Sequence, residues 1–230
     1  MCKQCDLTRF SRRGLLTAGL VTAAAAALPP LPAWAQSAAP PPNAISPDEA
    51  LARLQQGNAR YAANAPTNRD YAVGRVARAQ AQYPFASIVS CADSRLAPEL
   101  AFDQGPGELF VVRVAGNFIN EDGLASLEYG AAVLGTRTIL VLAHSGCGAV
   151  KAAMDGKAVP GQISTLYRLI RPAIDRANGD LTAAEKINAT IQAGLLRNAS
   201  PVLSEAVKQG TLGIAAGYYD LATGQVTLLG

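Results

Sequence analysis

Beyond residue 45 the chain first shows apolar residues at helical spacing, then short unbroken apolar runs. Leu51, Leu54 and Tyr61 fall on one stripe behind Ser46-Pro47-Asp48-Glu49. Ser46 suits an N-cap, Pro47 the first turn and Glu49 a capping box, so the pattern predicts a helix over 47–63. A second short helix is expected at about 74–82, ending before Pro84. Ala86–Ser90 reads as a strand, Pro98–Phe102 as a helical turn and Leu109–Val114 as a second strand. Gly123–Leu134 reads as a helix with Leu124, Leu127 and Val133 inward. Thr138–Ala143 is a third strand, continuous in Ile139, Leu140, Val141 and Leu142. Such runs fit strands covered on both faces, as in a parallel sheet.

Ala149–Met154 begins another helix. Helices at about 161–176 and 182–196 follow, the latter opened by a Thr182…Glu185 capping box, and then one from Pro201 to Lys208. Leu212–Tyr218 and Gln225–Leu229 read as two closing strands joined by a turn at Gly224. No internal repeat is visible. The fold class is α/β, with a central, mostly parallel β-sheet flanked by helices and an N-terminal helical arm.

Of the 230 residues, 50% are hydrophobic and 16% charged, which supports a large core and excludes wholesale disorder. The net charge of +3 belongs entirely to residues 1–35, which carry Lys3, Arg9, Arg12 and Arg13 against Asp6. The remainder is neutral, so composition gives no basis for nucleic-acid binding. Residues 1–35 have the layout of a secretory signal: a basic start at Ser11-Arg12-Arg13, an Ala-rich run from Gly14 to Leu28, prolines, and an A-x-A site at Ala33-Trp34-Ala35. The paired arginines resemble a twin-arginine export signal. The 15-residue apolar run is shorter than the ~20 residues that span a bilayer, which argues against a stable membrane anchor. The expected outcome is cleavage near Ala35 and a periplasmic or secreted bacterial protein, with Cys2 and Cys5 leaving in the leader. Residues 36–45 read as a Pro/Ala-rich linker, and 46–230 as one catalytic domain. Asn188-Ala-Thr190 and Asn198-Ala-Ser200 match glycosylation sequons, which a bacterial source makes chance matches.

In parallel α/β sheets, sites gather beyond the carboxyl ends of strands. The first strand runs into Cys91-Ala92-Asp93-Ser94-Arg95 and the third into His144-Ser145-Gly146-Cys147-Gly148. The only histidine and the two cysteines outside the leader therefore occupy corresponding loops. Two thiolates and an imidazole suit zinc, and three protein ligands leave a position open, as in catalytic sites. Cys91 and Cys147 also suit a disulfide or plain burial. Asp93 is placed to be a fourth ligand, or to be held off the metal by a bidentate pair with Arg95.

These residues match a family. Cys91–Arg95, Pro98–Asp103, Gly105–Asn117, Ser126–Tyr129 and His144–Lys151 together resemble β-class carbonic anhydrases. The resemblance implies one Zn2+ per subunit on Cys91, His144 and Cys147, with Asp93 and Arg95 as a catalytic dyad. It implies reversible hydration of carbon dioxide to bicarbonate and a proton by a zinc-bound hydroxide. It further implies a homodimer or dimer-based oligomer, with Gln82, Phe110 and Tyr129 lining the carbon dioxide pocket across the subunit interface. Members with a non-catalytic bicarbonate pocket use Trp and Gly just before the first zinc cysteine. This chain departs from that pattern at Ile88 and Ser90. With its only histidine on the metal, proton release must depend on buffer, water or another group. A zinc hydrolase of carbon disulfide on the same scaffold, and a non-catalytic zinc or thiol-redox module, are the alternatives.

Overall fold

A computed structural model describes residues 41–230. The leader, its cysteine pair and residues 36–40 of the expected linker lie outside the described residues. The folded part starts ahead of Ser46. Asn43, inside the expected linker, is buried and donates to the carbonyls of Pro84 and Leu134 (3.0 and 2.7 Å). A buried amide must find such partners, and here they tie the chain entry to the sheet's lower edge.

Helix α1 (Pro47–Ala62) carries the expected capping box, Ser46 Oγ accepting from Glu49 N–H and Glu49 accepting from Ser46 N–H. It buries Ala50, Leu54, Gly57 and Asn58. Helix α2 (Arg75–Gln80) buries nothing within this chain. Five strands follow: β1 (Ala86–Ser90), β2 (Leu109–Arg113), β3 (Thr138–His144), β4 (Gly213–Tyr219) and β5 (Val226–Leu229). They form one sheet in the order β2-β1-β3-β4-β5, all parallel except β5, which runs antiparallel to β4. The central strands β1 and β3 are buried at every residue, which is why they read as unbroken apolar runs.

Helices α3 (Pro98–Ala101), α4 (Glu121–Ala132), α5 (Gly148–Asp155), α6 (Tyr167–Ile174), α7 (Leu181–Ala199) and α8 (Pro201–Lys208) complete the chain. Against one sheet face, Val89, Ile139 and Val141 pack on Leu127 of α4, Leu196 of α7 and Leu203 of α8. Against the other, Ile88, Leu140 and Leu142 pack on Leu54, Leu96 and Phe102.

Three expectations are corrected. Val133 is not inward but 64% exposed, because α4 ends at Ala132. The single helix expected at 161–176 is a 3-10 turn at Ile163–Leu166 followed by α6, with no residue of that turn buried to hold an α-helical face. The Thr182…Glu185 capping box does not form. Asp180 caps α7 by accepting from Ala183 N–H, Thr182 is exposed, and Glu185 turns into the core.

Candidate metal centre

Sheet register assembles the site. β1 and β3 are parallel neighbours, with Ser90 opposite Leu142, so the segments leaving their carboxyl ends emerge side by side. Cys91 follows β1 directly, His144 ends β3, and Cys147 is the N-cap of α5. Gly146 between them takes φ +63°, a left-handed conformation that lets the chain reverse within two residues.

All three side chains are buried, and their ligating atoms lie within 4.8 Å of one another. The sulfurs are 3.9 Å apart and unbridged. His144 Nδ1 donates to the Ser145 carbonyl at 3.0 Å, which directs the Nε2 lone pair into the cluster. That Nε2 is buried and has no hydrogen-bond partner. An orphaned imidazole nitrogen beside two thiols is a poor arrangement for a core and a good one for a soft or borderline cation.

The electrostatics agree with this. Cys91 Sγ accepts from the Gly116 N–H (3.3 Å), and with the Cys147 thiol beside it the Cys91 pKa falls. The Cys147 pKa rises, because Cys91 takes up its proton as a hydrogen bond and burial adds to the cost of a second thiolate. A divalent cation would remove that cost by balancing both thiolates.

Asp93 stands beside the cluster, its Oδ2 3.9 Å from His144 Nε2. The Arg95 backbone N–H and Nε donate to Oδ1 (both 2.9 Å), and Nη2 donates to Oδ2 (2.7 Å). The bidentate pair holds the Asp93 carboxyl well below the usual carboxylate range. Arg95 Nη2 also reaches the Gly146 carbonyl at 3.2 Å, joining the two ligand loops. Asp93, read from sequence as a candidate fourth ligand, lies outside the three-residue cluster and inside the arginine pair.

A family model described as carbonic anhydrase matches residues 86–226. The chain belongs to the β-carbonic anhydrase family. It is 37% identical to a carbonic anhydrase of Mycolicibacterium smegmatis over 194 residues, covering 80% of this chain and 93% of that one. It is 36% identical to carbonic anhydrase 2 of Mycobacterium tuberculosis with the same coverage. Among solved structures, the Coccomyxa β-carbonic anhydrase in complex with acetazolamide aligns with a TM-score of 0.62 at 29% identity, over 69% of this chain and 77% of that one.

The three residues expected in the family's substrate pocket are placed away from the cluster within one chain. Phe110 and Tyr129 pair with ring centroids 6.4 Å apart, tilted by 43°. Phe110 sits three residues before the carboxyl end of β2, roughly 10 Å below the level of the ligands. Tyr129 is half exposed, and Gln82 lines a separate groove of 740 Å³ between α2 and Pro106–Glu108.

Two groups of functional residues escaped the sequence. Arg113, at the end of β2, donates to the carbonyls of Cys91 (3.0 Å), Asp93 (2.8 Å) and Leu96 (2.8 Å), pinning the loop that carries Asp93. Glu185, Asn188 and Gln192 form a buried polar stripe on α7. Their spacing of three and seven puts them on one face beside Ala184, Ala189 and Ala193, and polar residues at core positions of an apolar stripe were the available signal.

Proposed function

We propose that this chain is a zinc carbonic anhydrase that interconverts carbon dioxide with bicarbonate and a proton. The observation that carries this is His144 Nε2, buried without a partner among two thiol groups and beside an arginine-paired carboxylate. Cys91, His144 and Cys147 would hold the metal. Bound zinc would supply Lewis acidity that makes water nucleophilic near neutral pH. Asp93 accepts a hydrogen bond from the attacking water and so aims the opposite lone pair at the substrate carbon. Arg95 keeps Asp93 charged and fixes its plane.

In a two-fold dimer, the Phe110–Tyr129 pair and Gln82 would wall the partner's site with a surface suited to a small uncharged gas. The exposure of Tyr83, Val76 and Tyr129, and the lack of any buried residue on α2, support such an interface. Residues 1–35 would direct export through the twin-arginine machinery and be removed near Ala35, giving a periplasmic or secreted enzyme. Among the described residues no helix is long and apolar enough to cross a membrane.

Stopped-flow hydration of carbon dioxide, with metal analysis of the same sample, tests the reading. Wild type should bind one zinc per chain, turn over, and speed up as buffer concentration rises, since the only histidine is a ligand. Asp93→Ala should keep its zinc and lose about 10²-fold or more in rate. Zinc-loaded wild type without hydration activity would overturn the proposal and favour carbon disulfide, tested in the same instrument. A Cys91–Cys147 disulfide and no zinc would favour the thiol-redox reading.

A further inference from the structure

The polar stripe of helix α7 touches the loop that carries Cys147 and the segment after β2 that carries Gly116. Glu185 is buried, and its Oε1 accepts from the backbone N–H of Cys147 at 2.6 Å. Its Oε2 accepts from Tyr218 Oη of β4 at 3.1 Å, so the carboxylate is itself oriented. The Tyr218 ring carries the Lys186 ammonium 4.8 Å from its centroid. One turn on, Asn188 Nδ2 donates to the Gly116 carbonyl at 2.8 Å, and the Gly116 N–H is the group that donates to Cys91 Sγ. Gln192, a further turn along, accepts from the Ile119 N–H at 2.9 Å and steadies the same loop. One helix face therefore reaches Cys147 through its own N–H and Cys91 through Gly116, the residue whose N–H donates to the Cys91 sulfur.

The local backbone explains why this matters. Cys147 follows a glycine in a left-handed turn, a sequence with little conformational preference of its own. Its direction toward a metal must be imposed from outside. Burying a carboxylate is costly, and one that takes two hydrogen bonds from the ligand loop and an oriented tyrosine is justified by what it fixes. A hydrophobic residue at 185 would pack in the same space and leave the Cys147 N–H unpaired.

We infer that Glu185 and Asn188 are positioning residues of the metal centre, fixing the directions of the Cys147 and Cys91 sulfurs respectively. This rests on the zinc reading above. It names groups that touch neither metal nor substrate, and partners of that kind typically change metal affinity 10–100-fold when removed.

The test compares wild type with Glu185→Ala, Glu185→Gln and Asn188→Leu, all full-length mature chains. Three quantities are read: zinc affinity by competition with a chromophoric chelator, the thiolate-to-metal absorption of the cobalt(II) form, and thermal unfolding of the metal-free protein. Glu185→Ala should bind zinc about 10–100-fold more weakly and shift the cobalt spectrum. Glu185→Gln, which keeps an acceptor for the Cys147 N–H, should stay within about threefold of wild type by the same reasoning. Asn188→Leu, close in shape, should weaken zinc by about tenfold or more and carries the test if Glu185→Ala does not fold. Variants that match wild type in zinc affinity and cobalt spectrum, whatever their metal-free unfolding temperature, would reduce the stripe to packing and overturn the inference. Glu185→Gln as weak as Glu185→Ala would overturn it too, since charge rather than the hydrogen bond would then be at work. Wild type that binds no zinc would instead bring down the carbonic anhydrase reading.

Discussion

Gly57 sits in the middle of α1, where glycine costs about 1 kcal/mol relative to alanine. Propensity alone therefore says that Gly57→Ala should stabilise the protein. The structure says the reverse. An ideal Cβ at Gly57 would stand 1.8 Å from the Phe102 carbonyl oxygen, 2.8 Å from its carbon and 2.9 Å from Gln104 Nε2. Two of these are backbone atoms, so no side chain can swing away. α1 and the end of α3 would have to part by roughly 1.5 Å to reach ordinary contact, at a typical overpacking cost of about 1–3 kcal/mol. The separation also stretches the hydrogen bond from Asn58 Nδ2 to the Ala101 carbonyl, now 2.9 Å and worth about 1 kcal/mol. Subtracting the propensity gain leaves a net loss of about 1–3 kcal/mol. For a domain of this size that lowers Tm by roughly 2–12 °C. Thermal unfolding by circular dichroism, with zinc loading matched between samples, measures it. A Tm equal to or above wild type would refute the packing argument and show that α1 slides freely over α3.

Two further outcomes are expected. The Asp103 side chain is 3% exposed and accepts from Arg60 (2.5 Å), Arg69 (2.5 Å) and Thr67; burial alone would raise its pKa, but these partners hold it well below the usual range. A carboxyl depressed on folding stabilises above its unfolded pKa of about 3.9 and loses that contribution as pH falls. Asp103→Ala should thus cost on the order of 3 kcal/mol at pH 7, and urea unfolding should show the gap to wild type narrowing below about pH 4; a gap independent of pH would count against the ion cluster. Arg113→Met removes the donor to the Cys91, Asp93 and Leu96 carbonyls, and kcat should fall about tenfold with zinc stoichiometry unchanged; an unchanged kcat would mean the loop holds its shape without it.

The parts of this molecule that were legible in the sequence are those whose physics is local or strictly periodic. Ser46-Pro47-Asp48-Glu49 announced α1 because a capping box is made within four residues. β1 and β3 were legible because strands covered on both faces have no polar alternation to blur. The candidate ligands stood out because His144 is the only histidine and the two cysteines beyond residue 35 lie in the segments that follow β1 and β3. Glu185 was misread for a reason that is equally physical. The spacing of a threonine three residues before a glutamate is the same whether the glutamate caps its own helix or faces a loop far away. Only the placement of α7 against β3 and β4 decides between them, and Asp180 supplies the cap instead. Asn188 shows the same ambiguity, a sequon in one dimension and a buried donor to Gly116 in three. Arg113 was invisible because its partners are carbonyl oxygens, which carry no residue identity.

The two sulfur ligands are separated by 56 residues, and they meet only because β3 lies beside β1. The chain between them, which includes β2 and α4, forms the loop that closes when β3 docks on β1. Such a non-local parallel pairing is among the slower events in the folding of a sheet, since its loop-closure entropy is spent before any contact repays it. On the proposed zinc reading, metal capture would be a chemical signal that the sheet has closed, because a chain with β3 unpaired or out of register offers thiols but no converging site. A time course of zinc uptake during refolding would consequently trace the arrival of β3, with the ion acting as the reporter of completed topology.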